Sequence, residues 1–165
     1  MKFLFAAIVV ALSALTLTPA PAQASAAGSL GTNILRSWKT GRCLDTNNGV
    51  VYMNICSVPG TNDHQLWEIS VENNDAVIRN RVNGWCLATN RPDSVYTTSQ
   101  ECGINSTTRW DGKLWNRPDN VYQTWTFENK NKPGYCLNNQ APDTTPSVAD
   151  VHLCGGDYQD WKFGF

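Results

Sequence analysis

Gly41-Arg42-Cys43-Leu44-Asp45, then Val50-Val51-Tyr52-Met53-Asn54-Ile55-Cys56, then Gln65-Leu66-Trp67: the reading of this stretch decides the fold. Its skeleton is Gly-x-Cys-Leu, an apolar alternation ending in Cys, and Gln-x-Trp. Val51, Met53 and Ile55 alternate with Tyr52 and Asn54, which is the period of a half-buried strand. Asp45 to Gly49 reads Asp-Thr-Asn-Asn-Gly, the chemistry of a turn. Gly41 stands where the chain must turn before Cys43, a place that suits a residue without Cβ. The stretch therefore predicts a strand, a hairpin, a loop and a further strand.

The skeleton recurs twice. Gly84-Trp85-Cys86-Leu87 leads to Cys102 and Gln123-Thr124-Trp125. Gly134-Tyr135-Cys136-Leu137 leads to Cys154 and Gln159-Asp160-Trp161. The units span about residues 33–72, 73–128 and 129–165. A period in this range belongs to propellers, solenoids or closed symmetric folds. Three copies exclude a propeller with one blade per repeat. No stretch sustains the i, i+3, i+4 apolar pattern of a helix, and Gly, Asn and Pro interrupt every segment, so the chain reads as all-β. The second unit has the longest interval between its second Cys and its Gln. Residues 104–120 there read as an insertion carrying Arg109, Trp110, Leu114, Trp115 and Arg117.

Met1-Lys2, the apolar run from Phe3 to Leu17, and Ala22-Gln23-Ala24 after Pro21 read as a secretory signal peptide over residues 1–24. Residues 25–165 then form a single secreted, extracellular domain. The formal net charge is −1, and no basic face stands out, which argues against a nucleic-acid partner. No later segment is long and apolar enough for membrane insertion. All six cysteines follow the leader, and export with an even count reads as three disulfides. Two cysteines per unit assign them as Cys43–Cys56, Cys86–Cys102 and Cys136–Cys154. No C-x2-C pair or close Cys/His cluster points to zinc, and no cofactor is expected.

Three in-register copies of Gly-x-Cys-Leu, Cys and Gln-x-Trp resemble the ricin B-type lectin domain. The resemblance covers nearly all of residues 25–165. It implies a β-trefoil, a three-fold barrel capped by hairpins, with one disulfide and one potential sugar pocket per unit. It also implies what a sugar site needs: Asp directly after Cys-Leu, an aromatic two residues before the second Cys, and a polar residue just before the Gln. A sugar ring has one C–H face and a rim of hydroxyls, so it takes one flat apolar surface and fixed polar partners.

Set against that pattern, the first unit has Asp45, then Asn54 at the stacking position, His64 and Gln65. Tyr52, on the same strand face as Asn54, is the substitute platform. The second unit has Ala88, Gln100 and Tyr122, which is no sugar site in the family's manner. The third has Asn138, His152, Tyr158 and Gln159, a divergent set in which Asn bonds hydroxyls and imidazole stacks. The bland alternatives stand beside these: Asp45 as a turn cap, His64 and His152 as surface histidines, and each Trp and Gln of the skeleton as fold-building residues.

Two functions follow. The first is a carbohydrate- or glycoconjugate-binding module with the first unit as its best site. The second is a targeting or adaptor subunit of a secreted toxin or enzyme complex. Cell-binding subunits of cytolethal distending toxins resemble this case in keeping the fold without the sugar residues. Its protein partner would meet Arg109, Trp110, Trp115 and Arg117, types that dominate interfaces; alternatively, the two tryptophans fold back onto the barrel. With His64 and His152 alone and in no nucleophile or metal motif, no catalytic set is visible, and the expectation is a protein that is not an enzyme.

Overall fold

The computed structural model describes residues 28–72, 75–89, 94–99, 102–116, 123–140 and 146–164. The leader over residues 1–24 lies outside them. The described residues form twelve strands: β1 (Gly28–Ser37), β2 (Cys43–Asn47), β3 (Val50–Asn54), β4 (Leu66–Glu72), β5 (Asp75–Asn80), β6 (Cys86–Thr89), β7 (Val95–Thr98), β8 (Trp110–Asn116), β9 (Gln123–Asn129), β10 (Tyr135–Gln140), β11 (Ser147–Leu153) and β12 (Trp161–Phe163). Three single-turn 3-10 helices, Asp63–Gln65, Ser106–Thr108 and Asp157–Gln159, precede β4, β8 and β12.

The pairing closes on itself. β1 pairs with β4, β4 with β5, β5 with β8, β8 with β9, β9 with β12, and β12 with β1, all antiparallel. That ring of six strands is a barrel without free edges. The other six form hairpins β2–β3, β6–β7 and β10–β11, which meet over one end through β3–β7, β3–β11 and the Ser94–Asp150 bridge. Each unit is thus two barrel strands flanking one hairpin.

The same chain path recurs because the same local chemistry does. Gly41, Gly84 and Gly134 have φ of 70°, 70° and 83°, a left-handed conformation that glycine adopts without Cβ strain. Leu35, Ile78 and Phe127 end the first strands in the core, and Leu44, Leu87 and Leu137 point inward from the hairpins. One tryptophan per unit fills the centre. Trp67, Trp110 and Trp161 are fully buried, and their indole Nε1 groups donate to the carbonyls of Leu44, Leu87 and Leu137, each at 3.0 Å. A buried indole keeps its N–H satisfied this way. The three disulfides join Cys43–Cys56, Cys86–Cys102 and Cys136–Cys154, the pairs expected from the repeat.

The second unit corrects the sequence reading. Its core tryptophan is Trp110, and its motif is Thr108-Arg109-Trp110, following the 3-10 turn Ser106–Thr108. Trp125 is half-buried on β9, opposite Trp161 and stacked near Phe127. The reason is geometric: in each unit the residue two past the 3-10 turn aims its indole at the carbonyl of the Leu in Cys-Leu. Residues 104–116 are therefore no insertion but the turn and strand that complete unit two. β9 opens the third unit, as β1 and β5 open the others. The division falls after β8, ahead of residue 123, and not near 128.

Candidate functional site

In the first unit, β2 and β3 bring Asp45 opposite Tyr52. Asp45 is 2% exposed. Its Oδ2 accepts from Gln65 Nε2 at 2.9 Å, Asn54 Nδ2 at 3.3 Å and Asn62 Nδ2 at 3.4 Å. Its Oδ1 is buried and has no hydrogen bond of full geometry. Tyr52 titrates above its ordinary value. Burial is the first cause; the Asp45 carboxylate, by its charge and by hydrogen bonding, is the second. A carboxylate with one oxygen saturated and the other wanting a donor is an asymmetric acceptor, costly unless something supplies a proton donor.

Around it, Gln65 is a fixed strut. Its Oε1 accepts from Ser57 N at 2.8 Å, and its Nε2 also bonds the Ile55 carbonyl at 2.9 Å. Asn62 caps the 3-10 turn by accepting from His64 N at 3.0 Å, and Asn54 accepts from Ile55 N at 2.8 Å. The His64 side chain is exposed, while its carbonyl accepts from Asn80 Nδ2. The structure thus gathers Asp45, Asn54 and Gln65 into one network and adds Asn62. Asn62 was missed in the sequence because it lies three residues before the Gln. Its Asn-x-x-Gln spacing, with the Asn capping a turn, is the signal that would have found it.

In the third unit the predicted residues do not converge in the same way. Asn138 donates to Asp150 Oδ1 at 2.7 Å, and both are buried. Asp150 holds the register position of Tyr52, so the carboxylate comes from the opposite strand of the hairpin. His152 is exposed one pleat further on, and its carbonyl accepts from Gln159 Nε2 at 3.2 Å. Gln159 is otherwise bonded to Leu153 O, Gly155 N and Gly156 N, all backbone. Tyr158 is half-buried beneath the Lys39 ammonium, 5.9 Å from the ring centre. In the second unit Ala88 faces Tyr96, and Thr108 replaces the Gln, bonding Gly103 N and Asn105 O.

The aromatic interaction surface expected in unit two loses its centre. Trp110 cannot meet a partner, because it lies fully buried among the core side chains. Arg109 is turned to Asp75 at 3.2 Å, and Lys130 holds the other oxygen of Asp75 at 3.0 Å. Trp115 is described only in its backbone, and Arg117 lies outside the described residues.

A closed six-strand barrel and a three-hairpin cap define a β-trefoil. The chain belongs to the cytolethal distending toxin A/C domain family, whose model matches residues 21–133. No curated protein sequence matches it. Among solved structures it is similar to the designed three-fold symmetric protein ThreeFoil, at 20% identity and a TM-score of 0.63, over 82% of this chain and 99% of that one. It is similar to the Macrolepiota procera ricin B-like lectin solved with lactose, at 15% identity and a TM-score of 0.63, over 85% and 99%. It also resembles part of the GlcNAcα1-4Gal-releasing endo-β-galactosidase from Clostridium perfringens, at 14% identity and a TM-score of 0.65, spanning 82% of this chain and 33% of that enzyme. At such identities these likenesses speak for the fold.

Proposed function

We propose that the chain is a secreted, non-catalytic, glycan-binding component of a toxin, with the first unit as its sugar site. The observation that carries this reading is the Asp45 carboxylate. Oδ2 is held by three amide donors, while Oδ1 is a buried acceptor without a hydrogen bond of full geometry. A sugar hydroxyl donating to Oδ1 gives it the partner it lacks. The Tyr52 ring then turns its face to the sugar's C–H surface, and Asn54 and Asn62 stay oriented by Oδ2. Membership of the toxin family supports the toxin role. The lactose-bound fungal lectin supports sugar as the ligand. Three disulfides and the leader-like residues 1–24 support export. No cofactor enters the reading.

The test is a glycan array read beside Asp45→Ala, with folding of the variant confirmed by near-ultraviolet circular dichroism. Binding by the wild-type chain that disappears in the folded variant is the expected result. Binding that survives the substitution removes the first unit as the site. A chain that binds no glycan on the array overturns the carbohydrate reading.

A further inference from the structure

A cleft of about 230 Å³ opens in the third unit, on the barrel side of the Cys154–Asp160 loop. Lys113, Thr126 and Glu128 form one wall, and the Cys136–Cys154 disulfide with Gly155 and Gly156 forms the other. It shares Gln159 with the third-unit set that the repeat pattern marks but none of Asn138, His152 or Tyr158, and it opens toward β8 and β9 instead.

Its presence has a cause in the sequence. Opposite the first Cys of each unit stand Arg36, Arg79 and Glu128. Arg36 reaches over its own turn, Nε donating to the Gly41 carbonyl at 3.1 Å, and Arg79 reaches Ser70 Oγ at 2.8 Å. Glu128 is shorter and is drawn back, accepting from Gly134 N at 2.8 Å. After the second Cys, Ser57-Val58 of the first unit becomes Gly155-Gly156, which has no side chains to fill the space.

We propose that this cleft is a second saccharide subsite, taking one neutral, hydroxyl-bearing sugar residue; the proposal rests on the carbohydrate reading above. The wall presents a donor and an acceptor side by side, Lys113 Nζ and Glu128 Oε2 at 3.0 Å, the spacing of a hydroxyl pair on a ring. Glu128 stays ionised, since the Gly134 N–H and then the Lys113 ammonium hold its pKa below the ordinary range. An anion meets Glu128, Asp157 and Asp160. A cation competes with Lys113, already bound between Glu128 and Asp111. A neutral polyol meets neither penalty. The disulfide and two glycines give a flat surface for a C–H face. The volume lies below the roughly 300–1,000 Å³ of drug-sized pockets and suits a single ring.

Two-dimensional amide NMR on the folded, oxidised chain tests this, with galactose, N-acetylgalactosamine and N-acetylglucosamine as probes. The expected result is that the amides of Lys113, Thr126, Gly155 and Gly156 shift with at least one sugar. They shift equally in Asp45→Ala. Gly156→Phe fills the cleft at a backbone φ of −94° that any residue adopts, and a Cβ there meets only Gln159 Cδ at 3.9 Å. That variant, and the surface variant Lys113→Ala, weaken the effect by about tenfold or more. If these amides stay still while those around Asp45 move, the cleft is overturned and the first-unit site stands. If both sets stay still with all three sugars, both fall. Unchanged affinity in Gly156→Phe also overturns the cleft.

Discussion

Asp45 is a single side chain with two jobs. It anchors Gln65, Asn54 and Asn62, and it holds the acceptor offered to ligand. Removing it takes an acceptor from three amide donors, of which Gln65 Nε2 keeps the Ile55 carbonyl and Asn62 Nδ2 keeps Ser57 Oγ. Asp45→Ala is therefore expected to lower stability by about 1.5–3 kcal/mol, since hydrogen bonds to a charged group are the strong ones. Urea unfolding followed by tryptophan fluorescence measures it. The tryptophans separate in the same experiment. Trp110→Ala empties the barrel centre and should cost about 3–5 kcal/mol, whereas Trp125→Ala, half-buried on β9, should cost clearly less. Equal losses would contradict the assignment of Trp110 as the second unit's core residue. That assignment was hidden in the sequence because Thr108 does the turn-bonding that Gln65 and Gln159 do elsewhere, while a Gln-x-Trp at residues 123–125 imitates the motif on the wrong strand.

At the scale of elements, the turn into each hairpin is pinned differently. In the third unit Glu128 on β9 accepts the Gly134 amide, and with Lys113 this lowers its pKa. A carboxyl whose folded pKa lies below its unfolded value contributes stability that is present above the unfolded value of about 4.3. That contribution is lost as pH falls through the folded value. Glu128→Gln should therefore be less stable than wild type at neutral pH, with the gap shrinking below about pH 4; paired urea titrations across pH follow it. A gap that persists at pH 2 would mean the loss is packing and not charge. The disulfides brace the same hairpins, with sequence separations of 13, 16 and 18 residues. By the chain-entropy relation each contributes on the order of 3 kcal/mol, so Cys43→Ser with Cys56→Ser should lower the unfolding midpoint substantially.

For the molecule as a whole, the three units are alike in frame and unlike in surface. One carries a carboxylate network under its hairpin, one has Ala88 at that position, and one has moved the acid across the hairpin to Asp150. With two separate single-sugar sites per chain, soluble monosaccharide should bind each weakly. Chains that engage a dense glycan surface through both sites at once should dissociate far more slowly, by about a hundredfold or more in apparent affinity. Surface plasmon resonance at low and high glycan density checks this; density-independent affinity would contradict it.

By itself the sequence determined the local rules: which residues turn, which alternate into a core and which cysteines pair; the resemblance carried by its three-fold motif then implied a β-trefoil. The local rules follow from spacing, because a hairpin register and a Cys-to-Cys loop are short-range geometry. Only the tertiary structure decided which tryptophan completes the second unit, that residues 104–116 belong to the barrel, that Asp45 is enclosed with one oxygen unpaired, and that a cleft opens between β8, β9 and the Cys154 loop. Each of those depends on strands far apart in the chain meeting across the closed barrel. Gly41 to Trp67 shows both halves: its skeleton states the fold, while the chemistry of its aspartate depends on donors that only folding brings to it.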